Sequence, residues 1–400
     1  MRWLAICGMC ALAACSDALP TASSGLRKPY DDDARLLHPE FVALPHGAND
    51  SLDVFLSLKR SELLYLRETP EAPFVAQVRL SIGGEERRWR DTLGAEAPEI
   101  WRIRESFAAD SAAQILPLLD AIVEDTQRGT SVLVEAGDGL PVFHADGWPI
   151  ASDQIPAATP LAIAAVPGSV WQLETFEVEA ALPSPPFSSS GASEDSLRFS
   201  APRIVTVPDN GLLEITVAEG GLACSTTLPD GSLRTALVLH GRRSDFPHVR
   251  RVTDLIEASR YVTSRAEYER MTTSDDPKAA LDAFWLDCAD SESRARELIR
   301  IFYDRVEEAN LYFSGLREGW RTDRGMVHIV FGVPTKVRRY RDQEWWIYGE
   351  EGTPNAITFR FKKIPNRLDD NHFVLDRSLS FRAPWDRMVT AWRNGRIHGE

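Results

Sequence analysis

The chain has 400 residues, 44% apolar and 26% charged, which is enough for two or three domains with ordinary cores and excludes a disordered polymer. Its formal charge of −14 sits in the first part. From residue 246 onward 26 Lys and Arg face 25 Asp and Glu, leaving +1 there and, with Arg2 set aside, about −16 before it. So acidic a body argues against nucleic acid and against flat adsorption to anionic lipid.

The first fifteen residues stand apart. Arg2 supplies a basic start, Trp3 to Ala11 an apolar run, and Leu12-Ala13-Ala14-Cys15 a small-residue cleavage site ending in cysteine. That run resembles a bacterial lipobox. The resemblance implies that residues 1–15 are a lipoprotein signal peptide and that Cys15 becomes the first mature residue, its thiol carrying a diacylglycerol and its amino group an acyl chain such as palmitate. Several chains anchor far more firmly than one. No other stretch has the apolar length to span a bilayer. Residues 16–38 mix Ser, Ala, Pro and Gly with Asp31-Asp32-Asp33 and read as a flexible tether with a reach of roughly 25 Å. Of the five cysteines, Cys7 and Cys10 leave with the signal and Cys15 is lipidated. Cys224 and Cys288 remain, as a disulfide or as two buried free thiols.

From Ser51 the pattern alternates. Leu52, Val54, Leu56 and Leu58, then Val78, Leu80 and Ile82 before the Gly83-Gly84 turn, predict strands, as does Ile100 to Arg104. Ile115 to Val123 is ambiguous, and Gln127-Arg128-Gly129 predicts a turn into Ser131–Glu135. Residues 39–139 therefore read as a β-sandwich-like domain. Residues 140–245 read as a second β domain, with short strands from Val142 to His240. Within it Pro183 to Ser200 is a Ser/Pro/Gly-rich loop whose composition favours mobility over a contact role.

After Pro247 the apolar period changes from two to 3.6. Val252–Arg260 predicts a short helix and Tyr261–Met271 a packing arm. Asp276 caps the next helix with Pro277 in its first turn. Asp290 or Ser291 caps a longer one, along which Leu298, Phe302, Val306, Ala309 and Phe313 form one apolar stripe. Beyond it, Val327–Phe331, Lys336–Tyr340, Glu344–Tyr348, Ile357–Phe361 and Phe373–Leu375 predict an antiparallel sheet, and Pro384–Trp392 a closing helix. Residues 246–400 thus form an α+β domain, and the whole chain is multidomain, all-β domains first and α+β last.

Between the long helix and that sheet lies Gly319-Trp320-Arg321-Thr322-Asp323-Arg324-Gly325. Gly319 and Gly325 are expected to supply positive φ, Thr322 and Asp323 to bond nearby amides, and Trp320 to anchor the corner on the preceding helix. Arg321 or Arg324 is expected to fork onto Asp323 or onto Glu307 and Glu308. Every residue type has a structural role there, so the motif reads as a fold-specifying corner. With Tyr261-Val262-Thr263, Phe284-Trp285, Ala309-Asn310, Phe331-Gly332-Val333-Pro334, Glu344 to Tyr348 and Ala391-Trp392-Arg393, it resembles the bacterial GWxTD-domain proteins. That family has no agreed catalytic residues, so the resemblance implies no activity.

The chain lacks a P-loop, a dinucleotide glycine fingerprint, His-Glu-x-x-His and Gly-x-Ser-x-Gly. Its eight histidines are scattered. His328, alternating with Val327 and Ile329 on the predicted strand, is expected on the solvent side. Asp369-Asp370-Asn371 reads as a solvated turn rather than a calcium loop. No cofactor, metal site or catalytic residue is expected. One surface stands out: Arg338, Arg339 and Arg341 with Trp345 and Trp346 put guanidinium groups and indoles on neighbouring hairpin strands, a combination suited to carboxylates, sugars or peptides. The expectation is a lipid-anchored protein of the cell envelope, at the outer membrane, acting as a non-enzymatic scaffold for a protein partner. The alternatives are a glycan- or peptide-binding module using that hairpin and, third, an envelope hydrolase.

Overall fold

The computed structural model describes residues 37–46, 51–82, 84–94, 96–108, 120–135, 142–179, 181–188, 196–227 and 233–397. The signal peptide, Cys15, and the tether up to residue 36 lie outside the described residues. The last two positions assigned to the tether do not: Leu37 is buried in the first core, and the His38 backbone amide donates to Glu62 at 2.8 Å.

The first unit contains β1 (Glu40–His46), β2 (Ser51–Lys59), β3 (Val75–Ile82), β4 (Glu85–Thr92), β5 (Ile100–Ala108), β6 (Asp120–Asp125) and β7 (Thr130–Glu135). They form two antiparallel sheets, β1-β2-β5 and β4-β3-β6-β7. One core joins them: Leu52, Val54, Leu56 and Leu58 of β2 meet Val78, Leu80 and Ile82 of β3. β3 alternates buried and half-buried residues as a one-sided strand must. β2 is buried on both faces, because Phe55 on its other side packs edge-on against Trp148 of the next unit at 5.2 Å.

The second unit contains β8 (Val142–His144), β9 (Gln154–Pro156), β10 (Pro160–Ala164), β11 (Val170–Glu179), β12 (Ser196–Phe199), β13 (Arg203–Thr206), β14 (Leu212–Thr216), β15 (Gly221–Thr227) and β16 (Leu233–Arg242). A sheet β14-β10-β8 faces a larger one, β12-β11-β15-β16-β9, with β13 also pairing β11. Ile163, Leu213 and Ile215 from the first meet Leu173, Leu222, Cys224 and Leu239 from the second. β9 joins β16 in parallel at His240–Arg242, which carries the end of β16 towards the last unit.

The last unit has α1 (Val252–Ser259), α2 (Arg265–Thr273), α3 (Pro277–Asp287), α4 (Glu292–Phe313), α5 (Asp323–Phe331) and α6 (Arg382–Arg393) around the antiparallel sheet β17 (Lys336–Arg339), β18 (Gln343–Tyr348), β19 (Ile357–Lys363), β20 (Phe373–Leu375). The caps are as expected: Asp276 accepts from the Ala279 amide and Ser291 from the Arg294 amide. The segment read as a packing arm holds α2, started by a reciprocal capping box between Ser264 and Glu267. The stripe on α4 is fully buried, with Leu298, Phe302, Val306, Ala309 and Phe313 all at 0% exposure. Burying each large side chain contributes about 1.5–3 kcal/mol, so this stripe is the main fastening of α4.

One expected strand is a helix. Val327–Phe331 lies in α5, which begins where Thr322 Oγ1 accepts from the Gly325 amide at 3.0 Å and ends at Gly332 with φ 77°. All nine residues of α5 are buried, so it has no polar face to impose a 3.6-residue period, and its β-branched run mimics a strand. His328 accordingly faces no solvent: it is wholly buried, with Nε2 2.6 Å from Glu308 Oε2.

Candidate functional site

The Gly319–Gly325 motif is the corner between α4 and α5. Trp320 is fully buried. Asn310 of α4 accepts from the Trp320 amide, Tyr261 donates to the Trp320 carbonyl at 2.7 Å, and Arg321 lies 4.0 Å above the indole centroid. Burial raises the Tyr261 hydroxyl's pKa far above its usual value, so it stays a donor. Neither Gly319 nor Gly325 has positive φ, contrary to expectation. What both need is close approach. A Cβ on Gly319 would lie 1.7 Å from the Ala309 carbonyl oxygen, and one on Gly325 would lie 2.0 Å from that of Gly319.

The motif's charged residues choose distant partners. Arg321 binds Glu257 on α1, with Glu318 at 3.4 Å. Arg324, sandwiched between the rings of Phe313 and Phe373, donates to the Asn371 carbonyl at 2.9 Å and lies 3.5 Å from Glu344. Asp323 is the hub. It accepts from the Leu375 amide at 2.7 Å and from Arg377 at 2.5 and 3.1 Å. The expected pairings with Asp323 and with Glu307 or Glu308 do not form for either arginine: Asp323 is held by the Leu375 amide and the Arg377 guanidinium, Glu308 by His328 and Glu307 by His248. A cavity beside Thr322, Asp323 and Arg377 has a volume of about 30 Å³, room for one water and not for a substrate.

Arg377 also reaches outward, donating to the Ser184 carbonyl at 3.1 Å. Ser184 belongs to the Pro-rich loop of the second unit. Residues 181–188 of that loop are a contact segment, not a mobile one. The Ser378 amide donates to the Pro186 carbonyl at 3.0 Å, Leu182 and Phe187 pack on the last unit's core, and Arg382 lies over the Phe187 ring. A second fastening is polar: Arg242 from β16, nine-tenths buried, donates to the carbonyls of Gly315 and Arg317 and to Gln154 Oε1. Nearby, burial holds the His240 pKa down to about 3, so a neutral imidazole shares this seam with the Arg242 cation. Asp369 belongs to the same corner, accepting from the Leu316 and Asn371 amides.

The hairpin residues divide between two faces. Trp346 is buried in the core with Phe361 at 4.8 Å, and Arg339 binds Glu344, which also accepts from Trp346 Nε1. On the outer face Arg338 and Arg360 flank Trp345, Arg360 lies 4.4 Å over its ring, Tyr340 packs at 5.3 Å, and Arg338 binds Glu351. Arg341 is exposed at the turn. The surface thus comprises Arg338, Arg341 and Trp345, joined by Tyr340 and Arg360, which strand alternation around Trp345 would have identified. Cys224 and Cys288 are buried free thiols in separate cores, their pKa values pushed up by burial to about 12 and about 11.

Among the described residues no helix is long and apolar enough to cross a membrane. The family model of the GWxTD domain matches residues 227–394. The match reaches further back than residue 246, taking in β16 and the Arg242 that is seated in the corner. No curated protein matches the chain.

Proposed function

The chain is a GWxTD-domain-containing protein, and from that premise we propose a lipid-anchored protein of the cell envelope that acts as a non-enzymatic scaffold for a protein partner. The lipobox-like run to Cys15 supports an anchor at the outer membrane. One observation carries the scaffold reading: Asp323, the acid of the motif, aims Arg377 at the backbone of another unit of the same chain. The motif's chemistry is spent on holding polypeptide. Among the described residues the buried carboxylates of this domain are similarly engaged by arginines, Asp254 by Arg243, Glu344 by Arg339 and Asp323 by Arg377, which gives the hydrolase reading no support.

Crosslinking in intact cells, followed by identification of what is captured from detergent-solubilised membrane, tests the scaffold. A stoichiometric partner lost on deleting residues 246–400 is expected; no partner above background would overturn it. For the anchor, Cys15→Ser should release the protein from the membrane fraction and abolish palmitate labelling. Retention of both would refute lipidation at Cys15.

A second reading is favoured by the outer face of the hairpin, where Arg360 is stacked on Trp345 beside Arg338 and Arg341. That arrangement suits acidic glycans or peptides. Trp345→Ala with Arg341→Ala should abolish binding to an acidic glycan array at unchanged melting temperature. An unchanged array profile would remove this reading.

A further inference from the structure

We propose that the cleft between the first half of β19 and the start of α6 is a docking site for an extended acidic segment of a protein partner, which adds to β19 as a short strand. The inference rests on the partner-binding reading above and is independent of the lipid anchor.

β20 is shorter than its neighbour. It covers β19 only at Phe361–Lys363, and the chain then turns away through Ser378 and Ser380 into α6. Ile357–Phe359 therefore has β18 on one side and no strand on the other. The gap is a cleft of about 810 Å³, the size of a binding pocket, with Thr358 and Arg360 on one side and Ser378, Ser380 and Arg387 on the other. In an antiparallel sheet successive residues send their backbone groups to opposite sides. The Lys363 amide donates to Asp342 on the β18 side, whereas the Arg360 carbonyl accepts from the Asp376 amide on the β20 side. Thr358, two residues before Arg360, thus aims its own N–H and C=O into the cleft. Among the described residues neither group has a partner there.

The charges set the class of occupant. Arg360, stacked on Trp345 at 4.4 Å, and Arg387, in the second turn of α6, are both exposed, and among the described residues neither has a carboxylate partner. Other exposed arginines of this unit do, Arg265 with Glu269, Arg296 with Glu292 and Arg300 with Asp304. A third arginine lining the cleft, Arg377, is committed to Asp323. The acid that lines it, Asp376, is exposed, so two free cations face one free anion. A strand laid along Thr358 sends neighbouring side chains to opposite faces, one towards Arg360 on the outer face and the next towards Arg387 on α6. Two successive acidic residues therefore satisfy both forks with charge-assisted hydrogen bonds. The open edge selects a peptide over an acidic sugar, since main-chain N–H and C=O groups are what an uncovered strand pairs with. Before residue 246 the chain carries about −16 and offers such a segment no competing surface.

The test uses the full chain in detergent and a rhodamine-labelled peptide, Gly-Val-Asp-Glu-Thr-Gly-amide, with the Asn-Gln version as control. Fluorescence anisotropy should show saturable binding of the acidic peptide alone. Arg360→Gln and Arg387→Gln should each weaken it about tenfold, the contribution of one hydrogen bond to a charged group, at unchanged melting temperature. Asp376→Asn should tighten it about twofold by removing a like charge. Arg296→Gln, the same change of charge on α4, should leave it unaltered. N-methylation of the peptide's two acidic residues, one at a time, should abolish binding at the position whose amide meets the Thr358 carbonyl. No saturable binding at millimolar peptide would overturn the proposal, as would binding that survives both arginine changes or both N-methylations. An oligoglucuronate that binds as tightly as the peptide would assign the cleft to acidic sugars and overturn it too. If the partner crosslinked in intact cells persists in the Arg360→Gln, Arg387→Gln double variant, the scaffold stands and the cleft falls; peptide binding with no captured partner would keep the cleft and count against the scaffold.

Discussion

Removing the Asp323 carboxylate should disconnect the corner from the sheet. The side chains of Asp323 and Arg377 are only 6% and 8% exposed, with closest atoms 2.5 Å apart, so neither charge has solvent to fall back on. Asp323→Ala leaves a buried guanidinium and an unpaired Leu375 amide, and breaking a buried pair from one side costs about 3–5 kcal/mol. Arg377→Met should cost less, about 2–3 kcal/mol, because the remaining carboxylate keeps the Leu375 amide and sits at the amino terminus of α5, where the helix dipole favours it. The double variant removes both charges together. It should therefore recover about 2 kcal/mol relative to the sum of the single changes. The assay is urea unfolding followed by tryptophan fluorescence, six of the eleven tryptophans lying beyond residue 246, with the transition of that unit fitted alone because a multidomain chain is not two-state. Hydrogen exchange at Leu375 supplies a local readout, its amide losing protection in Asp323→Ala and keeping it in Arg377→Met. Costs that add to within about 0.5 kcal/mol would show that the two residues do not act as a pair and would refute the reasoning.

Two glycines separate steric from conformational demands. Gly319→Ala forces a methyl into a carbonyl oxygen 1.7 Å away and should prevent accumulation of folded protein, whereas Gly352→Ala, at φ 85° in open space, should lower stability by only about 1 kcal/mol, as thermal melts would show. Trp346→Ala should cost about 3–5 kcal/mol and Trp345→Ala under about 1 kcal/mol; equal costs in denaturant titrations would contradict the assignment of their faces. The Arg393 fork, bonded to Glu267 at 2.6 and 2.7 Å, holds that carboxyl's pKa down to about 2 from an ordinary 4.5. A depressed acid stabilises the fold above its unfolded pKa and loses that contribution as pH falls from about 4.5 through about 2. Glu267→Gln should flatten stability against pH in that window, and an unchanged slope would count against the pairing.

Local signals were enough wherever a segment has two environments to distinguish. The stripe on α4 is readable because its opposite face is wet, and the caps at Asp276 and Ser291 are readable because short polar side chains meet amides three residues on. Strands such as β3, with one face buried and the other half-exposed, announce themselves by alternation. α5 does not, since burial on every side erases the period that marks a helix.

By itself the amino-acid sequence determined the order of β and α+β units, most element types and the structural character of the corner. Only the tertiary structure decided that its glycines serve close approach and that Asp323 works on Leu375 and Arg377, more than fifty residues away. It also decided that residues 181–188 are fastened down on the last unit. The physical reason is one of range. Periodicity and capping act over a few residues and leave a trace in the order of residue types, whereas a carboxylate's partner depends on which distant backbone the folded chain brings within three ångströms.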